Sequence, residues 1–290
     1  MSFFLDDHSV RLVEWLELLR ALGFSKVFLH TQDVHPRVDA VLREYEKEGF
    51  VTFTQYDTPK PYPDEPTIRR DNLPQCLLRE HCHSPTLLMW SRIEKMKEFI
   101  LSSLYTSDCL MRHMHEYRYI AHLDPDEMPI LPRHDSYLTW LEYILEQGLK
   151  EATERKSSLP ASYVMKRCQH PSDLPPAEAA ADLPEHLWML RHTKVFQDPY
   201  EDDFVNVKSL FDTDTAMVAM PHNLTLCASG KCPFRRFEVP EEDGYIAHFT
   251  GSCGDHCTNS GNIEETIFLT QHKTKVHEAV NNVLKNLNLL

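Results

Sequence analysis

Residues 25–57 read SKVFLHTQDVHPRVDAVLREYEKEGFVTFTQYD, and the fold turns on how they are read. SKVFLHT (25–31) is short, β-branched and aromatic, which predicts a buried strand. PRVDAVLREYEKE (36–48) predicts a helix, with Pro36 in its first turn and Gly49 at its end. VTFTQYD (51–57) predicts a second strand. Strand, helix and strand joined by short links form a βαβ unit, and its right-handed crossover makes the strands parallel. The expectation is an α/β fold with a mostly parallel central sheet flanked by helices.

Upstream, SVRLVEWLELLRAL (9–22) carries a broad helical stripe of apolar residues, with Gly23 at the expected stop. Downstream, the Pro-rich, charged stretch 58–84 predicts a long surface loop. A helix is expected at 86–105, a strand at YRYIAHLD (117–124), a helix at 136–149 and a strand at ASYVMKRC (161–168). The Pro/Ala/acid segment 169–186 has no core-forming pattern and predicts a second long loop. Short apolar runs follow at 206–211, 215–220 and 245–250, and residues 263–290 predict a C-terminal helix. With no internal repeat and no clean linker, the 290 residues are expected to form one domain.

The formal charge of −14 argues against nucleic acid as the main partner, because phosphate binding needs a basic face. It is compatible with a divalent cation or a neutral sugar-like ligand. No window approaches a membrane span, and the N-terminus MSFFLDDHSVRL lacks the basic start and apolar region of a signal peptide. Eight Cys and the sequon Asn223-Leu224-Thr225 point instead to an oxidising lumen. The chain is therefore expected to be a fragment whose membrane anchor is missing.

The chemistry concentrates in IAHLDPDEMPIL (120–131), where Asp124, Asp126 and Glu127 fall within four residues. Charges this close repel, so solvent, the amides of a turn or a cation must offset them. Carboxylate oxygens are hard ligands suited to Mg²⁺ or Mn²⁺, and ligands in open parallel sheets bind beyond the carboxyl ends of strands. A metal site is thus expected here, with an Asx-type turn bearing solvated acids as the alternative. His222 and His248 each follow a hydrophobic run and could complete such a site, or serve as structural histidines. Lys208 could neutralise a diphosphate or snorkel to the surface.

Cys227, Cys232, Cys253 and Cys257, with His256, could form disulfides or ligate a structural zinc; disulfides are the preferred reading. No Walker or GxGxxG phosphate loop is present, and TGSCG (250–254) is not a GxSxG elbow, so a hydrolase of that type is not expected.

DxD at a strand end, in an α/β chain without a Gly-rich loop, resembles the GT-A fold of nucleotide-sugar glycosyltransferases. Five ordered segments resemble glycosyltransferase family 92 in particular: LVEWLELLRALGFSKVFLHTQD, AVLREYEKEGFVTFTQYD, SDCLMRHMHEYRYIAHLDPDEMPIL, VKSLFDTDTAMVAMPHNL and GYIAHFTG. The blocks touch most of residues 9–250. Pro125 and Met128 depart from the family's more usual aliphatic and aromatic residues, and Phe249 stands where Tyr is usual.

The resemblance implies an inverting, metal-dependent transfer of galactose from UDP-galactose to a glycan hydroxyl. The enzyme would reside in the Golgi lumen, as a type II membrane protein at full length. Asp126, with Asp124 and Glu127 beside it, would hold Mn²⁺ (or Mg²⁺) against the diphosphate, with His248 as first choice of distant ligand and His222 second. His30, Thr31 and Gln32 would lie near the uridine, and Asp57 near the base or ribose. Inversion needs a general base for the acceptor hydroxyl; Asp173, Glu185 and Asp212 are equal candidates. The rival readings are a catalytically inactive glycan-binding protein on the same fold and a metal-dependent phosphoesterase using the same acids.

Overall fold

The structure is a computed structural model that describes residues 6–31, 33–56, 102–196, 206–220, 222, 224–228, 236–251, 263–266 and 268–290. The expected loop at 58–84 and most of the expected helix at 86–105 lie outside these residues.

Helix α1 (Ser9–Leu22) buries Leu12, Val13, Trp15, Leu16, Leu18, Leu19 and Leu22. Being apolar around most of its circumference, it lies inside the protein rather than on it. Gly23 ends it in the left-handed region at φ +95°, where its N–H donates to Arg20 O (3.1 Å) and Phe24 N–H to Leu19 O (3.0 Å). Strand β1 (Val27–Thr31), helix α2 (Pro36–Lys47) and strand β2 (Val51–Gln55) follow. β1 and β2 pair in parallel with Val27 opposite Val51 and Thr31 opposite Gln55, which is the expected βαβ unit. Pro36 opens α2 at a position that needs no amide donor. These two strands form their own two-stranded sheet.

The central sheet differs from expectation: it is mixed, not mostly parallel. Its strands are β3 (Tyr119–Ala121), β4 (Glu127–Ile130), β5 (Ser162–Pro171), β6 (Lys194–Phe196), β7 (Val207–Asp212), β10 (Arg236–Glu238), β11 (Tyr245–Thr250) and β12 (Ile263–Glu265). β5 is the spine. β10 and β11 run parallel to it, whereas β6 and β7 run antiparallel. The outer pairs β3–β7, β4–β11 and β6–β12 are antiparallel as well. The parallel pair that local signals reveal, β1 and β2, forms a separate sheet, so its direction sets nothing in the eight-stranded one. A separate hairpin-like pair, β8 (Ala216–Ala219) and β9 (Leu224–Cys227), is antiparallel.

Two further boundaries moved. β5 continues through Gln169 and His170 to Pro171, so the stretch expected as a loop from 169 begins as strand. Beyond it the chain packs on the core through Ala177, Ala180, Leu183 and Leu187, all buried, with one 3₁₀ turn at Glu178–Ala180. Pro175, Pro176 and Pro184 keep the stretch from forming a regular element, yet its Ala and Leu side chains still fill space in the core. The expected C-terminal helix over 263–290 resolves into β12, a 3₁₀ turn at Phe268–His272, and a helix over Lys273–Asn286 that packs on α1.

Between β2 and β3, a helix covers 102–113 and is here α3. Helix α4 (Tyr137–Glu154) starts at Ser136, whose Oγ accepts the Thr139 N–H (3.2 Å). Trp140 and Ile144 on α4 are fully buried.

Candidate functional site

The acidic turn sits between β3 and β4, and it closes on itself. The Glu127 N–H donates to Asp124 O (2.8 Å), and the Asp124 N–H returns to Glu127 Oε2 (3.0 Å). Glu127 already belongs to β4, opposite His248 of β11 in the antiparallel register. Its side chain is 0% exposed, and its carbonyl accepts Trp15 Nε1–H from α1 (2.8 Å). The turn is thereby clamped to the helix core on one side and to the sheet on the other.

Burial of two carboxylates demands a counter-charge, and β7 delivers it. Lys208, 1% exposed, places Nζ 2.7 Å from Asp124 Oδ2 and 3.0 Å from Glu127 Oε2. Arg167 of β5 adds Nη1 at 3.5 Å from Glu127 Oε1. Two acids and two cations thus form a compact, formally neutral group. Burial alone would raise the Asp124 pKa, but the charges of Lys208 and His122 hold it well below the usual carboxylate range. Glu127 moves the other way, because its full burial and the neighbouring Asp124 outweigh Lys208. The two carboxylates in turn raise Lys208 against the effect of its own burial.

Asp126 is different. It shares no ion pair with Lys208 or Arg167 and is 41% exposed, with Oδ2 3.5 Å from His248 Nε2. The pairing of β4 with β11 creates the juxtaposition: the Phe249 N–H donates to Asp126 O (2.8 Å), which brings the preceding residue, His248, beside the Asp126 side chain. His222 lies on the Lys208 side, its Nδ1 donating to Val207 O (2.9 Å). Its pKa is lowered by burial and by the charges of Lys208 and Arg167, which favours the neutral ring.

The fold therefore gathers Asp124, Asp126, Glu127, Lys208, His222 and His248 from four distant stretches of chain, together with Arg167, which the sequence reading passed over. The signal for Arg167 was a charged residue within the otherwise apolar run ASYVMKRC. Lys208 neither snorkels nor reaches solvent; its ammonium is committed to the two acids. Among the described residues, no three His, Cys, Asp or Glu side chains gather closely enough to hold an ion unaided. The available donor set is Asp126 and His248, one hard oxygen and one imidazole nitrogen, both partly open to solvent. Such a pair suits Mn²⁺ or Mg²⁺ when substrate oxygens complete the shell.

His30 and Thr31 lie at the carboxyl end of β1, with the Tyr56 N–H donating to Thr31 O (2.8 Å). Gln32 and Asp57 lie outside the described residues, as do Asn223 of the sequon, His256 and Cys232, Cys253 and Cys257. Asp212 is committed to Arg118 (2.8 Å) at the end of β7, where it ties β7 to β3. Asp173 and Glu185 are both exposed. Asp173 follows Ser172, whose N–H donates to Thr250 O (3.0 Å) at the end of the strand that carries His248.

The sequence profile of glycosyltransferase family 92 matches residues 2–285, nearly the whole chain. The chain belongs to glycosyltransferase family 92. A family 92 chain is a transferase that moves a sugar from a donor to an acceptor, and the strands that carry the clustered acids and histidines all fall within the matched span. Comparison with curated proteins returned no match. No helix among the described residues of this family 92 chain is long and apolar enough to cross a membrane.

Proposed function

We propose that this family 92 chain transfers a sugar, galactose being the leading choice, from a UDP-sugar to a glycan hydroxyl with inversion, on a GT-A type fold. The observation that carries the reading is the Asp126–His248 pair, open to solvent beside acids already neutralised by Lys208 and Arg167. Asp126 and His248 would hold Mn²⁺ (or Mg²⁺). When bound, the ion offsets charge that builds on the departing nucleoside diphosphate. Asp124 and Glu127 do not compete for it, because Lys208 occupies their facing oxygens. Their role is to fix the turn so that Asp126 projects at one angle. Arg167 and Lys208 together cancel the charge of the two buried acids, so a diphosphate arriving at Asp126 meets no excess of negative charge behind it.

His30 and Thr31 end β1, one strand of a parallel pair, and a nucleotide at the carboxyl end of that pair would meet them. The general base is proposed to be Asp173 rather than Asp212 or Glu185, since it is exposed and follows directly on the contact with the end of β11. A Golgi-luminal location is proposed on the cysteine content, and the disulfide in which Cys227 takes part supports it. Calorimetry of UDP binding with and without Mn²⁺, on the wild type and Asp126→Ala, tests the reading. Metal-dependent binding that the substitution abolishes is the expected result. Metal-independent binding that the substitution leaves unchanged would discard it.

A further inference from the structure

The carboxyl ends of β1 and β2 carry a second cluster, built around Asp108 of α3. Tyr56 Oη–H donates to Asp108 Oδ2, as do Arg112 Nε–H (2.8 Å) and His30 Nε2–H (3.3 Å). Three donors from three elements converge on one oxygen. Among the described residues the other oxygen, Oδ1, takes no hydrogen bond, although the side chain remains 30% exposed. Beside this group the rings of His30, Tyr56 and Tyr105 pack together, with centroids 5.0 to 5.4 Å apart. The three donors hold the Asp108 pKa down against partial burial, so its free oxygen is an acceptor only.

Such a group suits a flat, partly polar ring that presents one N–H. Aromatic rings can stack on a base, and stacking tolerates any base. The oxygen adds what stacking lacks, a hydrogen-bond requirement. We infer that Asp108 Oδ1 reads the imide N–H of the donor's base, so that this corner of the fold selects uracil over cytosine. The inference rests on the UDP-sugar reading and adds to it the residue that sets base specificity. Uracil carries a hydrogen at N3, whereas cytosine carries a lone pair there that would face the carboxylate. Because three donors already orient Asp108, little reorganisation opposes the contact. The signal for this residue was present in SDCLMRH, where Asp108 and Arg112 stand at helical i, i+4 spacing.

The substitution Asp108→Asn gives a sharp test. Tyr56, Arg112 and His30 still need an acceptor, so the amide places its carbonyl oxygen beneath them and turns its NH₂ outward. The exposed acceptor becomes a donor. Calorimetry with UDP and CDP in the presence of Mn²⁺ should then show the UDP:CDP affinity ratio falling by about tenfold or more. Asp126→Ala should weaken both nucleotides and leave their ratio unchanged. On the unaltered protein, 3-methyl-UDP should bind about tenfold or more weakly than UDP, a measurement that holds whether or not the variant folds. An unchanged ratio in a folded Asp108→Asn protein, or equal binding of UDP and 3-methyl-UDP, would overturn the inference while leaving the donor reading intact. Wild type that binds neither UDP nor CDP would overturn the donor reading, and this inference with it.

Discussion

Asp124 and Asp126 stand two residues apart on the same turn, yet their surroundings have little in common. Asp124 shares Lys208 with the fully buried Glu127, and its charge is met by a cation that the protein itself supplies. Asp126 is 41% exposed and, among the described residues, finds only an imidazole, 3.5 Å away. The first acid is part of the fold's electrostatic framework; the second, under the proposed function, is left for a ligand. Three acids in four residues are therefore divided between the turn's architecture and its chemistry.

The largest effect should come from breaking the framework. Lys208→Met leaves Asp124 and Glu127 facing each other without their nearest cation, and loss of one partner in a buried charge group costs about 3–5 kcal/mol. Urea denaturation should show a loss of that size; a loss no greater than that of a surface substitution would refute the buried-group account. Glu14 gives the second comparison, being a buried carboxylate with no ion pair among the described residues. It accepts the N–H groups of Met189 (2.9 Å) and Leu190 (3.0 Å) at the start of the single helical turn Trp188–Arg191. Burial pushes its pKa up to about 7 from 4.5.

The sign follows from linkage. A carboxyl whose folded pKa is raised favours the fold most when protonated. Its contribution is complete below about 4.5 and is lost as pH rises to about 7. At 1.36 kcal/mol per pKa unit the loss is on the order of 3 kcal/mol. Denaturation midpoints of the wild type, referenced to Glu14→Gln, should fall across that window and level off above it; parallel curves would reject the assignment.

Asp126→Ala should do the opposite of Lys208→Met. As a partly exposed residue outside the buried group it should change stability by less than about 0.5 kcal/mol, yet it should lower Mn²⁺-dependent UDP affinity by tenfold or more, about 1.4 kcal/mol. A large stability loss would show that Asp126 belongs to the framework after all. The smallest effect is expected at the exposed pair Glu146–Lys150 on α4, 2.9 Å apart and both more than half exposed. Glu146→Ala should cost about 0.3–0.5 kcal/mol, diminishing in high salt. An effect comparable to that of Lys208→Met would remove the distinction between buried and surface ion pairs on which the comparison depends.

Legibility in the sequence followed interaction range. The βαβ unit could be read because its signals are local: β-branched and aromatic runs of strand length, Pro36 at the first turn of a helix, and Gly23 and Gly49 where the chain adopts φ of +95° and +78°. The acidic turn was legible for the same reason, since three carboxylates within four residues repel and must be offset by solvent, turn amides or a cation wherever they fold. The mixed character of the central sheet was not legible, because one parallel pair was extended to strands whose directions depend on links elsewhere. The continuation of β5 to Pro171 was missed because Gln169 and His170 look polar in isolation and gain their burial from β11 and β6.

Local residue chemistry thus determined on its own that this chain has an α/β character, where its first crossover lies, and where its charged chemistry is concentrated. Only the tertiary structure decided which cation answers which acid, that Arg167 joins the group, and that Asp108 closes the edge of β1 and β2. Those pairings span 40 to 84 positions of sequence. Coulombic attraction and desolvation depend on separation in space, and nothing in residue spacing reports that separation until the strands have paired.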